Sequence, residues 1–183
     1  MDNSKNLSVL FIGHSYVRRA HLYRKDHNLP LNKLQIKNVS LNMKYYWRGG
    51  SNYKQFNDLP EIKKRILTHS PDIIIVALAG NAVSSHSSYS MPEAQEEMRI
   101  FHRWLTTSFP NAKILPIEAE PRFNKHSELP KNHPDNTESY HDRRKSMNHA
   151  INRMKGKHGT IRLFNALNEK PFSNPMNTHL MSI

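Results

Sequence analysis

The chain has no cysteine, so disulfides and thiolate zinc sites are excluded. It is poor in apolar residues, at 37%, where globular chains usually hold roughly 45–50%. A modest core wrapped in polar loops follows. No stretch approaches the eighteen consecutive apolar residues of a membrane helix, and no apolar signal core follows the first residues. An intracellular, cytoplasmic protein without membrane contact is the expectation. Acidic residues are also few: 15 Asp and Glu against 27 Lys and Arg, a formal charge of +12, with 12 His besides. This balance favours polyanionic partners but says nothing about fold. The basic residues are scattered, in pairs such as Arg18–Arg19, Lys63–Lys64 and Arg143–Arg144, and form no long tail. A solvated basic surface is the plain reading, and nucleic-acid contact is the alternative.

What is present is an alternation of strands and helices. A length of 183 residues suits a single domain. Ser8–Ile12 is a short apolar run closed by Gly13, which reads as a buried strand. Residues 15–27 look helical, with Val17, Ala20 and Tyr23 inward. Residues 34–41 alternate loosely as a second strand, and 47–51 form a turn. A helix is expected to start over 58–61, capped by Asp58 or Asn57, with Pro60 near its first turn and Ile62, Ile66 and Leu67 on its apolar side, and to be ended by Pro71.

Residues 72–79 contain the strongest strand, Ile73-Ile74-Ile75-Val76. Such a β-branched run implies burial on both faces of a parallel sheet. Residues 84–90 read as a polar loop. The next helix opens at Met91-Pro92-Glu93 and carries Ala94, Met98, Phe101 and Leu105 at helical spacing. A strand over 112–117 follows, then a long loop over 119–138. Tyr140, Met147, Ile151 and Met154 mark another amphipathic helix, and Ile161–Phe164 a last strand. The order predicts an α/β fold: three layers, α/β/α, around a mostly parallel five-stranded sheet. Ligands in such folds bind beyond the carboxyl ends of the strands.

Three loops follow strand ends. Gly13-His14-Ser15 presents a hydroxyl at a helix start, where its backbone N–H faces any nearby anion. In isolation, such a serine is more often a helix cap. Asn81, after the strongest strand, offers side-chain N–H donors to a developing oxyanion, or else is a turn residue. Gly49-Gly50 can bring a backbone N–H to the same place, or form a simple turn. Each signal is weak alone, and their joint order is more specific.

That combination resembles the SGNH, or GDSL-like, hydrolase family. Residues 9–17, with Gly13-His14-Ser15, look like its first block, with His14 where Asp is usual. Arg48-Gly49-Gly50-Ser51 looks like the second, and 72–81 like the third. There Ala79 replaces the family's Gly, and Ala82 replaces its Asp. Tyr140 to Arg144 and Asn148 also resemble the helix before the last strand, and the Gly-His-Ser variant is similar to esterase-like domains carried by retrotransposons. The resemblance implies a flavodoxin-like SGNH fold and Ser-His-Asp acyl transfer on acetyl or short acyl esters. Ser15 would be the nucleophile, with the Ser15 N–H, the Gly50 N–H and the Asn81 amide as oxyanion hole.

The fourth block, Asp-x-x-His, is not found. No Asp lies beyond Asp142, and in Met176-Asn177-Thr178-His179 a Met stands where the Asp belongs. The expectation is a chain truncated before that block, lacking its last element and weakly active or inactive. His179 is kept as a substitute base. The alternative is a non-catalytic, basic nucleic-acid-binding module on the same fold. No cofactor and no metal are expected. Nothing matches a His-Glu-x-x-His helix, a phosphate-binding Gly-x-x-x-x-Gly-Lys loop or a Gly-x-Ser-x-Gly elbow. His126, Glu128, His133, Asp135, His141 and Asp142 cluster loosely, without standard metal spacing.

Overall fold

The computed structural model describes residues 5–28, 33–36, 38–84, 90–120 and 137–154. The elements run β1 (Lys5–Gly13), α1 (Ser15–Asp26), β2 (Lys33–Ile36), β3 (Val39–Trp47), α2 (Tyr53–Asp58), α3 (Pro60–Leu67), β4 (Ile73–Ala77), α4 (Ala79–Ser84), α5 (Met91–Ser108), β5 (Lys113–Pro116) and α6 (Thr137–Arg153). The five strands form one sheet in the order β2-β3-β1-β4-β5. β3, β1, β4 and β5 are parallel, and β2 runs antiparallel at the edge.

The expected α/β fold with a mostly parallel sheet is therefore present, although its membership differs. The single strand expected over 34–41 is two strands, β2 and β3, paired antiparallel from Lys33↔Asn42 to Ile36↔Val39. The strand expected over 161–164 lies outside the described residues, as do His179, residues 121–136 of the long loop, and with them His126, Glu128, His133 and Asp135.

Alternation along the strands sends their side chains to two faces. On one face Leu10 and Ile12 of β1, Ile74 and Val76 of β4 and Ile114 of β5 join the main core. α2 supplies Tyr53 and Phe56, α3 supplies Ile62 and Ile66, and α5 supplies Ala94, Met98, Phe101 and Leu105. Met147 and Ile151 come from α6. Burying each large side chain contributes about 1.5–3 kcal/mol. On the other face lies α1, packed on β3 and β1. Val17 is its one buried residue.

Several local expectations change. Tyr23 is 45% exposed and Leu67 51% exposed, so neither faces the core. The N-cap of α3 is Leu59, which makes no side-chain cap bond. Asp58 instead ends α2, a helix not anticipated, which Asn52 and Gln55 open with a reciprocal capping box. Asn81 sits in helix α4, which follows β4 almost at once, and not in a turn.

Candidate active site

Register sets the site. Gly13, the last residue of β1, pairs with Trp47 at the end of β3 and with Ala77 at the end of β4. Three adjacent parallel strands thus stop at one level. The segments carrying Ser15, Gly50 and Asn81 all leave from that edge. Two hydrogen bonds tie them together. The Arg48 N–H donates to the Gly13 carbonyl at 3.1 Å, and the Asn81 amide donates to the Ser51 carbonyl at 3.1 Å.

Gly13 is dictated by close approach. A Cβ there would lie 2.4 Å from Cγ2 of Val17 and 2.8 Å from the Ala77 carbonyl oxygen. Its absence lets α1 begin against the sheet, immediately after β1. Ser15 is the first helical residue and is half-buried. Its N–H belongs to the orphan donors of a helix start, where negative charge is favoured. Gly50 is exposed and adopts φ +72°, a left-handed conformation that glycine accepts readily. Ser51 and Asn52, just after it, are 3% exposed, so the loop is anchored at its far end. Asn81 is half-buried. One of its two amide hydrogens is committed to Ser51, which leaves the second as a donor. Ala82, where the family pattern has Asp, is buried at 4% exposure. An ionised Asp there would need a partner.

His14 is 1% exposed and is the N-cap of α1. Its Nδ1 lies 3.4 Å from Ser15 Oγ and accepts the Tyr16 N–H at 3.5 Å. The His14 and Tyr16 rings lie 4.9 Å apart. Sequence reasoning registered His14 only as a departure from Asp. The signal was its place immediately before the serine.

A cavity of about 150 Å³ adjoins this edge on the α1 side of the sheet. Phe11, Val17, Ala20, Ala77 and Ile117 give it apolar walls, and His14, Tyr16, Glu118, Glu120 and Tyr140 add polar groups. No local pattern of residues signals it, because its walls come from four separate segments. The segment after β5 is held by α6. Asn148 accepts from the Ala119 N–H at 2.7 Å and donates to its carbonyl at 3.1 Å, and Asn152 donates to Glu118 at 2.7 Å. Tyr140 donates to the Glu120 carbonyl at 2.7 Å. Arg143 donates to the Val83 carbonyl at 2.9 Å. Arg144 is buried. No group of three His, Asp or Glu side chains placed to hold a metal occurs among the described residues. No helix among them is long and apolar enough to cross a membrane.

No protein-family model and no curated protein sequence matches the chain. Solved structures do. An acetyl xylan esterase superposes with a TM-score of 0.58 at 11% identity, covering 86% of this chain and 77% of that one. A hydrolase from the metagenome of Lake Arreo, Spain, gives 0.56 at 11% identity, covering 90% and 79%. A GDSL-like lipase from Bacteroides thetaiotaomicron gives 0.52 at 15% identity, covering 85% and 67%. The chain has the fold of the SGNH, or GDSL-like, hydrolases.

Proposed function

We propose that the chain is a serine acyl hydrolase of the SGNH type acting on a small acyl ester. Ser15 is the nucleophile, and the Ser15 N–H, the Gly50 N–H and the second Asn81 amide hydrogen receive the oxyanion. The observation that carries this reading is the common level of the β1, β3 and β4 ends, bridged by the Asn81–Ser51 bond. The apolar walls of the adjoining cavity suit an acetyl or other short acyl group. One structural neighbour is an acetyl xylan esterase.

The Ser15 hydroxyl becomes a nucleophile when a base takes its proton. The test is hydrolysis of p-nitrophenyl acetate by the wild type and by Ser15→Ala. The variant should fall to the buffer rate, and equal rates for the two proteins would sink the proposal.

A second reading, nucleic-acid binding, has an observation of its own. Arg18, Arg19 and Lys44 are exposed on α1 and β3, and no ion pair joins them to a carboxylate among the described residues. Tyr16 and Tyr23 are 40% and 45% exposed on the same helix, with the Arg19 guanidinium 5.9 Å from the Tyr16 ring centroid. Cations interleaved with aromatic faces suit single strands. Anisotropy of a labelled RNA oligonucleotide should rise at low salt and fall steeply as salt increases. No rise at low salt ends this reading.

A further inference from the structure

The acyl-hydrolase reading requires a base for the Ser15 hydroxyl, and the His14 ring lies beside it. We infer that His14, the residue immediately before the nucleophile, is the general base for Ser15. This inference rests on that reading and adds to it a residue the family pattern does not use in this way.

The geometry begins with the ring's hydrogens. Nδ1 of His14 accepts the Tyr16 N–H, so in the neutral ring it carries a lone pair and the hydrogen sits on Nε2. The same lone pair faces Ser15 Oγ at 3.4 Å. One acceptor is shared by two donors, which accounts for two long contacts in place of one short one. Its place is enforced from the far side. A Cβ on Gly80 would lie 3.4 Å from Nε2, so α4 closes against the imidazole edge. At 1% exposure the ring is shielded from solvent.

The step balances without any other reactant. Oγ bonds to the acyl carbon while the Ser15 proton moves to Nδ1, and the carbonyl electron pair becomes the oxyanion. Collapse of that oxyanion breaks the ester C–O bond, and the leaving alkoxide takes the proton from Nδ1 to depart as an alcohol. Water repeats the sequence on the acyl-serine, returning Ser15 and the acid.

The groups facing the ring set how well it holds a proton. Tyr16 lies beside it on α1. Glu118 and Glu120, after β5, and Tyr140 of α6 line the same cavity, and α4 presents only Ala79 and Gly80 there. Protonated Nδ1 can no longer cap Tyr16 and sits at the positive end of the helix.

The test is the rate of Ser15 labelling by a fluorophosphonate, followed against pH on the full chain. Oγ bonds to phosphorus, fluoride leaves, and the serine proton leaves through Nδ1. In the wild type the rate should fall on acidification with a single ionisation. His14→Asn keeps an N-cap acceptor for Tyr16 but accepts no proton. It should label about 100-fold or more slowly and lose that ionisation, with Tm little changed. Labelling of His14→Asn at the wild-type rate, or a flat wild-type profile, overturns the inference. If the Asn variant fails to fold, the wild-type profile still decides. Ser15→Ala separates the two claims. Labelling that persists in Ser15→Ala removes the nucleophile assignment, and with it the role of His14. Labelling that is lost there but kept in His14→Asn removes the base alone.

Discussion

The two faces of the sheet are built differently. One is a closed core in which Phe56 and Phe101 meet edge to face at 5.6 Å and five helices supply buried apolar side chains. The other carries α1, whose one buried residue is Val17. Around it are rings with polar handles: His21 lies against Tyr45 and Trp47, and Phe11 stacks on Tyr45 at 5.6 Å. Burial raises the Tyr45 phenol above its ordinary value, only partly offset by the Arg24 charge. Stability therefore resides on the first face. The second, where the cavity opens beside Ser15, is left with adaptable polar and aromatic groups, as a binding surface requires.

The sharpest break of this contrast is Phe101→Ala. Phe101 is fully buried against Tyr53 and Phe56 of α2, and truncation should cost about 3–5 kcal/mol, read as a lower urea midpoint. Next comes Gly13→Ala, at the seam between the faces. Its methyl would meet Val17 and the Ala77 carbonyl at less than 3 Å. Shifting α1 to make room should cost about 1–3 kcal/mol and should also displace Ser15, lowering fluorophosphonate labelling. Phe11→Ala, on the α1 face, should cost only about 1 kcal/mol, since the ring is half-buried. It should instead change the preference among acetyl, butyryl and longer p-nitrophenyl esters. If Phe11→Ala destabilises as much as Phe101→Ala, the distinction between the faces is wrong.

The closed face was the legible one. Ile73 to Val76 could only be a buried strand, and Ala94, Met98, Phe101 and Leu105 at helical spacing are all buried. The α1 face was harder to read. Asn42-Met43-Lys44 alternates exposed, buried, exposed, but the turn near Asn38 that separates β2 from β3 carries neither glycine nor proline. α2 was signalled by Asn52 and Gln55 at capping-box spacing, yet a six-residue helix has too little periodicity to stand out. Of the candidate site, Ser15, Gly50 and Asn81 were identifiable by their places after strands and by family pattern. The Asn81–Ser51 bond and the His14–Ser15 contact were not, because both depend on how α4 and the 48–51 loop settle on the strand ends.

The smallest expected effect contrasts the caps of the two faces' principal helices. α5 starts with Ser90 and Glu93 in a capping box. The Ser90 backbone N–H, and then its hydroxyl, donate to the Glu93 carboxylate and hold it below its ordinary value of 4.5. A carboxyl depressed in the folded state adds stability that is complete above the unfolded value and is lost as pH falls through the folded one. Glu93→Gln keeps a side-chain acceptor for Ser90 but does not titrate. The Tm advantage of the wild type over this variant should be constant near neutrality and shrink below about pH 4.5, since Glu93 titrates only in the acid range. α1 is capped instead by the buried His14 ring, with no carboxylate in its first turn, so protection of the Tyr16 amide should not follow the Glu93 transition. Hydrogen exchange of the Tyr16 and Glu93 amides against pH checks this: loss of protection at both over the same acid range would show that the two helix starts open as one unit.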